Sequence, residues 1–312
     1  MIISFSQNPL KRTVGIVYFN LVELVFFALV ASVAYVLCHE YGYHFLEIPP
    51  VPVSILGGAL AIFLGFRNSS AYDRWWEARK IWGAVVNDSR SFAMELIALP
   101  TSDNPEEAKA IADWRRKAIY RHIGWLYALN GHLRKNPVDL SNYLDEAERD
   151  AIAEKSNKPA QIVALQAKEM QKAFKKGWTG EYRFNALVQT LTKFYDDQGK
   201  AERIKNTIFP YYYNYFTLFF LWLFTASLPF ALAQIMDNVI MIPFSVLISF
   251  AFFILHKSGT MTENPFENVA ADTPINTICR GIEIDLLQMI DEKDIPAPEP
   301  TQTTRFGVTH AK

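Results

Sequence analysis

The chain has 312 residues, of which 50% are hydrophobic and 23 are phenylalanine, and its formal net charge is −1. So even a balance excludes nucleic-acid binding through bulk charge, and the apolar excess is too concentrated for an ordinary soluble protein of this length. Cys38 and Cys279 stand far apart in unlike contexts, which excludes a disulfide framework or a CxxC metal site.

In chain order, the first apolar stretch runs from Val14 to Cys38, interrupted by Asn20, Glu23 and Ser32. It is long enough to cross a hydrocarbon core of roughly 30 Å. It lacks the short apolar region and small-residue cleavage site of a signal peptide. Glu23 within it is a candidate for ion contact; the alternatives are a protonated carboxyl or a hydrogen bond to a neighbouring helix. The loop from His39 to Pro50 brings His39 and His44 near Glu40 and Glu47. Their spacing is not diagnostic of a metal, so a solvated loop is expected, with no metal and no cofactor.

The second stretch, Val51 to Phe66, is rich in small residues. Gly57, Ala61 and Gly65 recur every fourth position, a pattern that lets helices approach closely in lipid. One residue along, Gly58, Ile62 and Phe66 form a parallel stripe, which continues inward through Ser69 or Ser70 to Asp73 and Glu77. An apolar stripe that turns acidic suits a pore wall, since apolar rings gate by dewetting and acidic rings attract cations. The alternative is an ordinary packed helix with a polar end.

From Arg74 to Asn206 the sequence reads as helical and mostly soluble. Asn104-Pro105-Glu106-Glu107 predicts a helix start, with Asn as cap, Pro at the first position and acids in the first turn. That helix carries Ile111, Trp114, Ala118, Trp125 and Leu129 near one face and closes at Asn136-Pro137. Further helices are predicted over Pro159–Lys176, Glu181–Tyr195 and Pro274–Ile290. The third apolar stretch, Tyr211 to Ala233, opens with Tyr211, Tyr212, Tyr213 and Tyr215, an interfacial aromatic belt. The fourth, Ile240 to Leu255, follows so closely that the two form a hairpin. The tail from Pro296 reads as disordered.

Lys11 and Arg12 precede the first span, Arg67 and Arg74 follow the second, and His256 and Lys257 follow the fourth. The connections His39–Pro50 and Gln234–Val239 contain no Lys or Arg. This asymmetry puts both termini and the 74–208 region in the cytoplasm, with the spans in the inner (plasma) membrane. The expected organisation is residues 1–73 with the first two spans, a helical block 74–208, the hairpin 209–256, and a C-terminal helix and tail 257–312.

The run FRNSSAYDRWWEARKIWGAVVNDSRSF resembles the segment after the pore neck in bacterial bestrophin homologues, and Arg74-Trp75-Trp76 is shared with animal bestrophins. Glu263-Asn264-Pro265-Phe266 is similar to the Asn-Pro-Phe-Gly of that family. With the order of elements, the resemblance covers roughly residues 5–295. It implies an all-α membrane protein with four transmembrane helices per protomer and a large helical cytoplasmic region, assembled as a homopentamer around a central pore. It further implies a neck at Ile62 and Phe66, with Gly58 at a third, widened site, and a lower constriction around Leu187 to Leu191. Animal bestrophins bind calcium through acids after Asn-Pro-Phe. Here only Glu267 and Asp272 remain, separated by Val269 and Ala270, too few oxygens for Ca²⁺.

The expected function is passive flux of monovalent ions, with Asp73 and Glu77 favouring cations, or else pairing with Arg67, Arg74, Arg79 or Lys80 between subunits, through a pore whose partners are the bilayer and further copies of the chain. An anion (chloride) channel of the same fold and a membrane-anchored scaffold are the alternatives. A secondary transporter lacks the internal repeat and broken helices it would need. No nucleophile elbow, P-loop, HExxH or dinucleotide fingerprint supports an enzyme.

Overall fold

The computed structural model describes residues 2–4, 9–99, 102–303 and 309–310, with side chains described over 13–99 and 102–301. The side chains of Lys11 and Arg12, invoked above for orientation, lie outside the described residues.

Among the described residues, four helices are long and apolar enough to cross a membrane. They are α2 (Leu21–Tyr35), continued by a π-helical turn over Val36–Glu40, the outer part of α3 (Pro50–Ile97), α8 (Tyr211–Ala233) and α9 (Met241–Thr262). The chain is an all-α integral membrane protein. The third span has its expected ends. The first does not begin at Val14: a separate helix, α1 (Pro9–Phe19), precedes it, and the break falls at Asn20. There the Asn20 amide donates to the Ile16 carbonyl at 2.6 Å, and Lys257 donates to Asn20 Oδ1 at 2.6 Å. An asparagine side chain that competes for backbone partners interrupts a helix in this way.

The 48-residue α3 runs through residues 73 and 74 without a break. At about 1.5 Å per residue it is about 72 Å long, more than twice the hydrocarbon thickness. Its prolines, Pro50 and Pro52, lie in the first turn, where the missing N–H groups cost nothing. Beyond Phe66 its apolar spacing continues on one face as Ala71, Ala78, Trp82, Val85, Phe92 and Leu96, all buried. That face seeds the helical body, which is completed by α4 (Pro105–Arg134), α5 (Glu146–Ala153), α6 (Lys158–Lys175), α7 (Glu181–Asn206) and α10 (Ile275–Met289).

Caps set the helix ends. The Asn104 side chain accepts from the Glu106 N–H at 3.0 Å, and α4 closes at Lys135 in the left-handed region, φ 56°. The sequence reading missed α5, although Asp145 and Glu148 form a capping box there. In the body's core, Trp125 and Phe194 enclose His122, which is 3% exposed and has Nε2 2.9 Å from Ser89 Oγ. Burial without a counter-charge pushes the His122 pKa down to about 3.

The tail is not wholly irregular. β2 (Gln302–Thr303) and β1 (Ile2–Ser4) each pair antiparallel with β3 (Thr309–His310). Isoleucine and threonine favour such ladders, and strands of two or three residues are too short to show a period in the sequence.

Candidate ion-conducting face

The two faces of α3 have different fates in the membrane half. Val53, Leu60 and Leu64 pack against Leu221, Phe224, Leu228 and Ala231 of α8. Gly57 lies on this inner face: a Cβ there would sit 2.7 Å from the Phe224 ring, so the close approach requires glycine. Ala61 and Gly65 do not share it. Both are exposed, and a Cβ at Gly65 would meet nothing within 4 Å. The expected close-packing stripe of Gly57, Ala61 and Gly65 is therefore split, because a repeat of four drifts about 40° per step around a helix of 3.6 residues per turn.

The opposite face is open. Ile62 and Phe66 are 64% and 65% exposed, and Gly58 is exposed with nothing within 4 Å of where its Cβ would be. Asp73 follows about 10 Å further along, within the same arc of roughly 100° that holds Gly58, Ile62 and Phe66. It is exposed, and no ion pair engages it among the described residues. Glu77 differs: its carboxylate lies 2.5 Å from Lys80 Nζ, one turn on. The sequence reading gave the two acids one role, but the structure leaves Asp73 open and gives Glu77 a cation of its own. Both Glu77 and Lys80 are substantially exposed, so this pair moderates the local field without holding the fold.

Leu187 and Leu191 stand elsewhere than expected. They are 1% and 3% exposed, within the core that α7 shares with α3, and so face no open space. The helical register explains the correction: α7 turns Leu187, Leu191 and Phe194 inward and leaves Val188, 36% exposed, on the outside.

Glu23 lies in the first turn of α2 and is half-buried, rather than deep within the span. A carboxylate there complements the positive end of the helix dipole. His39 and His44 do not converge. His39 stacks on Tyr35 with centroids 4.9 Å apart and places Nε2 3.1 Å from the Met236 carbonyl, whereas His44 pairs with Glu47 at 2.7 Å.

Sequence reasoning missed the use made of Arg67, which it took for a flanking cation or a partner of Asp73 and Glu77. Arg67 is fully buried. Its guanidinium donates to Glu263 Oε2 at 2.8 Å, Asn214 Oδ1 at 2.9 Å, Thr260 Oγ1 at 3.0 Å and the His256 carbonyl at 3.1 Å. No local signal marks this, since an arginine just past an apolar span ordinarily reaches the interface. After Glu263 the chain forms a tight loop. Asn268 takes φ 64°, and the buried Asp272 accepts the Asn268 and Val269 N–H groups through Oδ2. Trp75 donates to the Ala271 carbonyl at 2.9 Å, and Lys205 pairs with Glu267 at 2.8 Å. Burial raises the Asp272 carboxyl above its ordinary range.

A sequence model described as Bacterial/Fungal Bestrophin protein matches residues 9–288. The voltage-dependent anion channel-forming protein YneE of Salmonella typhi is 37% identical over 249 residues, which cover 79% of this chain and 78% of YneE. The voltage-dependent anion channel-forming protein RSc3414 of Ralstonia nicotianae is 30% identical over 253 residues, 80% of each chain. Among solved structures, a bacterial bestrophin homologue from Klebsiella pneumoniae matches with a TM-score of 0.81 and 28% identity, over 88% of this chain and 99% of that chain.

Proposed function

From the premise that this chain belongs to the bacterial and fungal bestrophin family, we propose that it is the subunit of a homopentameric channel for passive flux of monovalent ions. The observation that carries this reading is the unpartnered face of α3, where Ile62 and Phe66 lie open above Asp73. One protomer cannot enclose a pore, and an acid-bearing face left toward lipid would be costly. Several copies around an axis turn that face inward as apolar rings above an acidic one. Native mass spectrometry in detergent tests the assembly: a pentamer is expected, and a stable monomer would end the reading.

The inner membrane is the proposed site, with both termini and residues 74–208 in the cytoplasm. Two contacts support the grouping of the connections at opposite ends, and the Lys and Arg asymmetry of the sequence supports the orientation. His39 reaches Met236, so both outer connections share one end, and Lys257 reaches Asn20 at the other.

Cations are the favoured ions in this reading, because Asp73 has no basic partner among the described residues and the outer connections lack Lys and Arg. In confined space a ring of such carboxylates is screened less than at an open surface. Anion flux is the second reading, supported by the description of YneE and by the neutralisation of Glu77 by Lys80. Reversal potential in a potassium chloride gradient separates the two. Asp73→Asn is expected to abolish most of the cation preference, and Glu77→Gln to change it little. An anion-selective wild type would establish the second reading.

Calcium is not part of the proposed gating. Glu267 and Asp272 are engaged by Lys205 and by backbone N–H groups, and Ca²⁺ needs six to eight oxygens. Flux is expected to be unaffected by micromolar Ca²⁺. Activation by Ca²⁺ that Asp272→Ala abolishes would contradict this.

A further inference from the structure

Arg67 occupies an unusual place in the fold. It follows Phe66 directly, so its side chain leaves α3 about 100° around from the open face. Its guanidinium reaches α8 through Asn214, the end of α9 through His256 and Thr260, and Glu263 just beyond. The neighbouring turn is held in the same way. Asn68 donates to the Leu255 carbonyl at 2.9 Å, and Phe63 stacks on Tyr213 with centroids 4.2 Å apart. Gly259 makes room for this junction, since a Cβ there would lie 3.2 Å from Arg67 Nη1 and closer still to Asn68 Oδ1.

Stability alone is a weak rationale for such a pair. Burying an arginine and a glutamate costs desolvation that their attraction often fails to exceed, and apolar replacements of similar volume serve a core equally well. What the arrangement supplies is direction. The planar guanidinium fixes α3 against acceptors from α8, from α9 and from the segment after it. That segment continues into the Glu263–Thr273 loop, which Phe266, Trp75 and Lys205 tie to the helical body.

We propose that Arg67 is a positioning residue for conduction: through Glu263 and the ends of α8 and α9 it sets the place of Phe66 on the neck. This rests on the channel reading above. With the clamp intact, α3 is held back against the hairpin and the neck stays permissive. With the clamp released, the turn carrying Phe66 moves off the hairpin toward the open side, and the pore closes more often. Ion selectivity, which resides with other residues, stays as it is.

The test is single-channel recording in planar bilayers under a potassium chloride gradient, alongside mass measurement of each assembly. Glu263→Gln leaves a buried charge unpaired and is expected to lower protein yield as well as activity. The deciding variant is therefore Arg67→Gln with Glu263→Gln, which removes both charges and keeps hydrogen-bonding side chains. It is expected to assemble with wild-type mass, to open about tenfold less often and to keep the wild-type reversal potential. Arg67→Lys, which keeps the ion pair but loses the fork, is expected to fall between the two. Wild-type open probability in the double variant would overturn the proposal. So would a double variant that fails to assemble, since Arg67 would then act in folding alone. A shifted reversal potential with unchanged opening would also overturn it. A wild-type protein that passes no ions would instead refute the channel reading itself.

Discussion

Shortening Phe66 to alanine is expected to raise unitary conductance by about tenfold, which corresponds to about 1.4 kcal/mol of barrier. Ile62→Ala is expected to act in the same direction. A ring of phenyl or butyl groups leaves too little room for hydrated ions and expels water from the gap. A ring of methyl groups is wide enough to stay wet. The substitutions cost the protomer little, because Ile62 and Phe66 are 64% and 65% exposed and contribute little to its core. Assembly mass should therefore equal that of the wild type, which separates a change in permeation from a change in folding. Unchanged conductance in both variants would mean that the open face of α3 is not the neck.

The second large effect concerns acid. His122 titrates near 6.5 in an unfolded chain and at about 3 in its cage of Trp125, Phe194 and Ser89. Between these values the unfolded state binds a proton that the folded state refuses, so stability falls as pH falls from 6.5 toward 3 and levels off below. The loss attributable to this group is about 2 kcal/mol by pH 5 and about 5 kcal/mol at its limit. Asp197 and Asp272 oppose it. Their burial raises their pKa values, so the folded state gains protons first and is favoured as pH falls. Comparing wild type with His122→Gln, which keeps a hydrogen-bonding group near Ser89 but does not titrate, cancels the acids. Thermal unfolding in detergent from pH 7 to pH 4 should show a steeper decline for wild type. Parallel curves would show that His122 is not the acid-sensitive element.

Much of the architecture is legible in the sequence because it rests on local chemistry. The third span is set by a predominantly apolar run without a charged residue and has its expected ends, and the start of α4 is written in Asn104 and Pro105. The readings that failed depended on distant partners. Hydropathy ends the second span at Phe66 because Arg67 follows, and that this charge is buried against Glu263, 196 positions away, is decided by packing alone. Leu187 and Leu191 lie on α7 as predicted, but which side of α7 meets α3 is decided by packing across the body. The open face was the most readable part of the candidate site, since Gly58, Ile62, Phe66 and Asp73 share one side of a single helix. The distinction between Asp73 and Glu77 needed the position of Lys80, which spacing allows but does not require.

The unbroken course of α3 bears on how the protein can be divided. Its inner half supplies Ala78, Trp82, Val85, Phe92 and Leu96 to the core shared with α4, α7 and α10. A fragment starting at α4 would leave the opposite wall of that core facing water, with Trp125, Ile119 and Phe194 uncovered. Such a fragment is an aggregate in prospect rather than a soluble domain. One starting within α3 would carry a long helix stripped of the apolar neighbours that hold its outer end. The portion inside the bilayer and the portion outside it are thus a single unit of folding, and a lesion in either is felt by both.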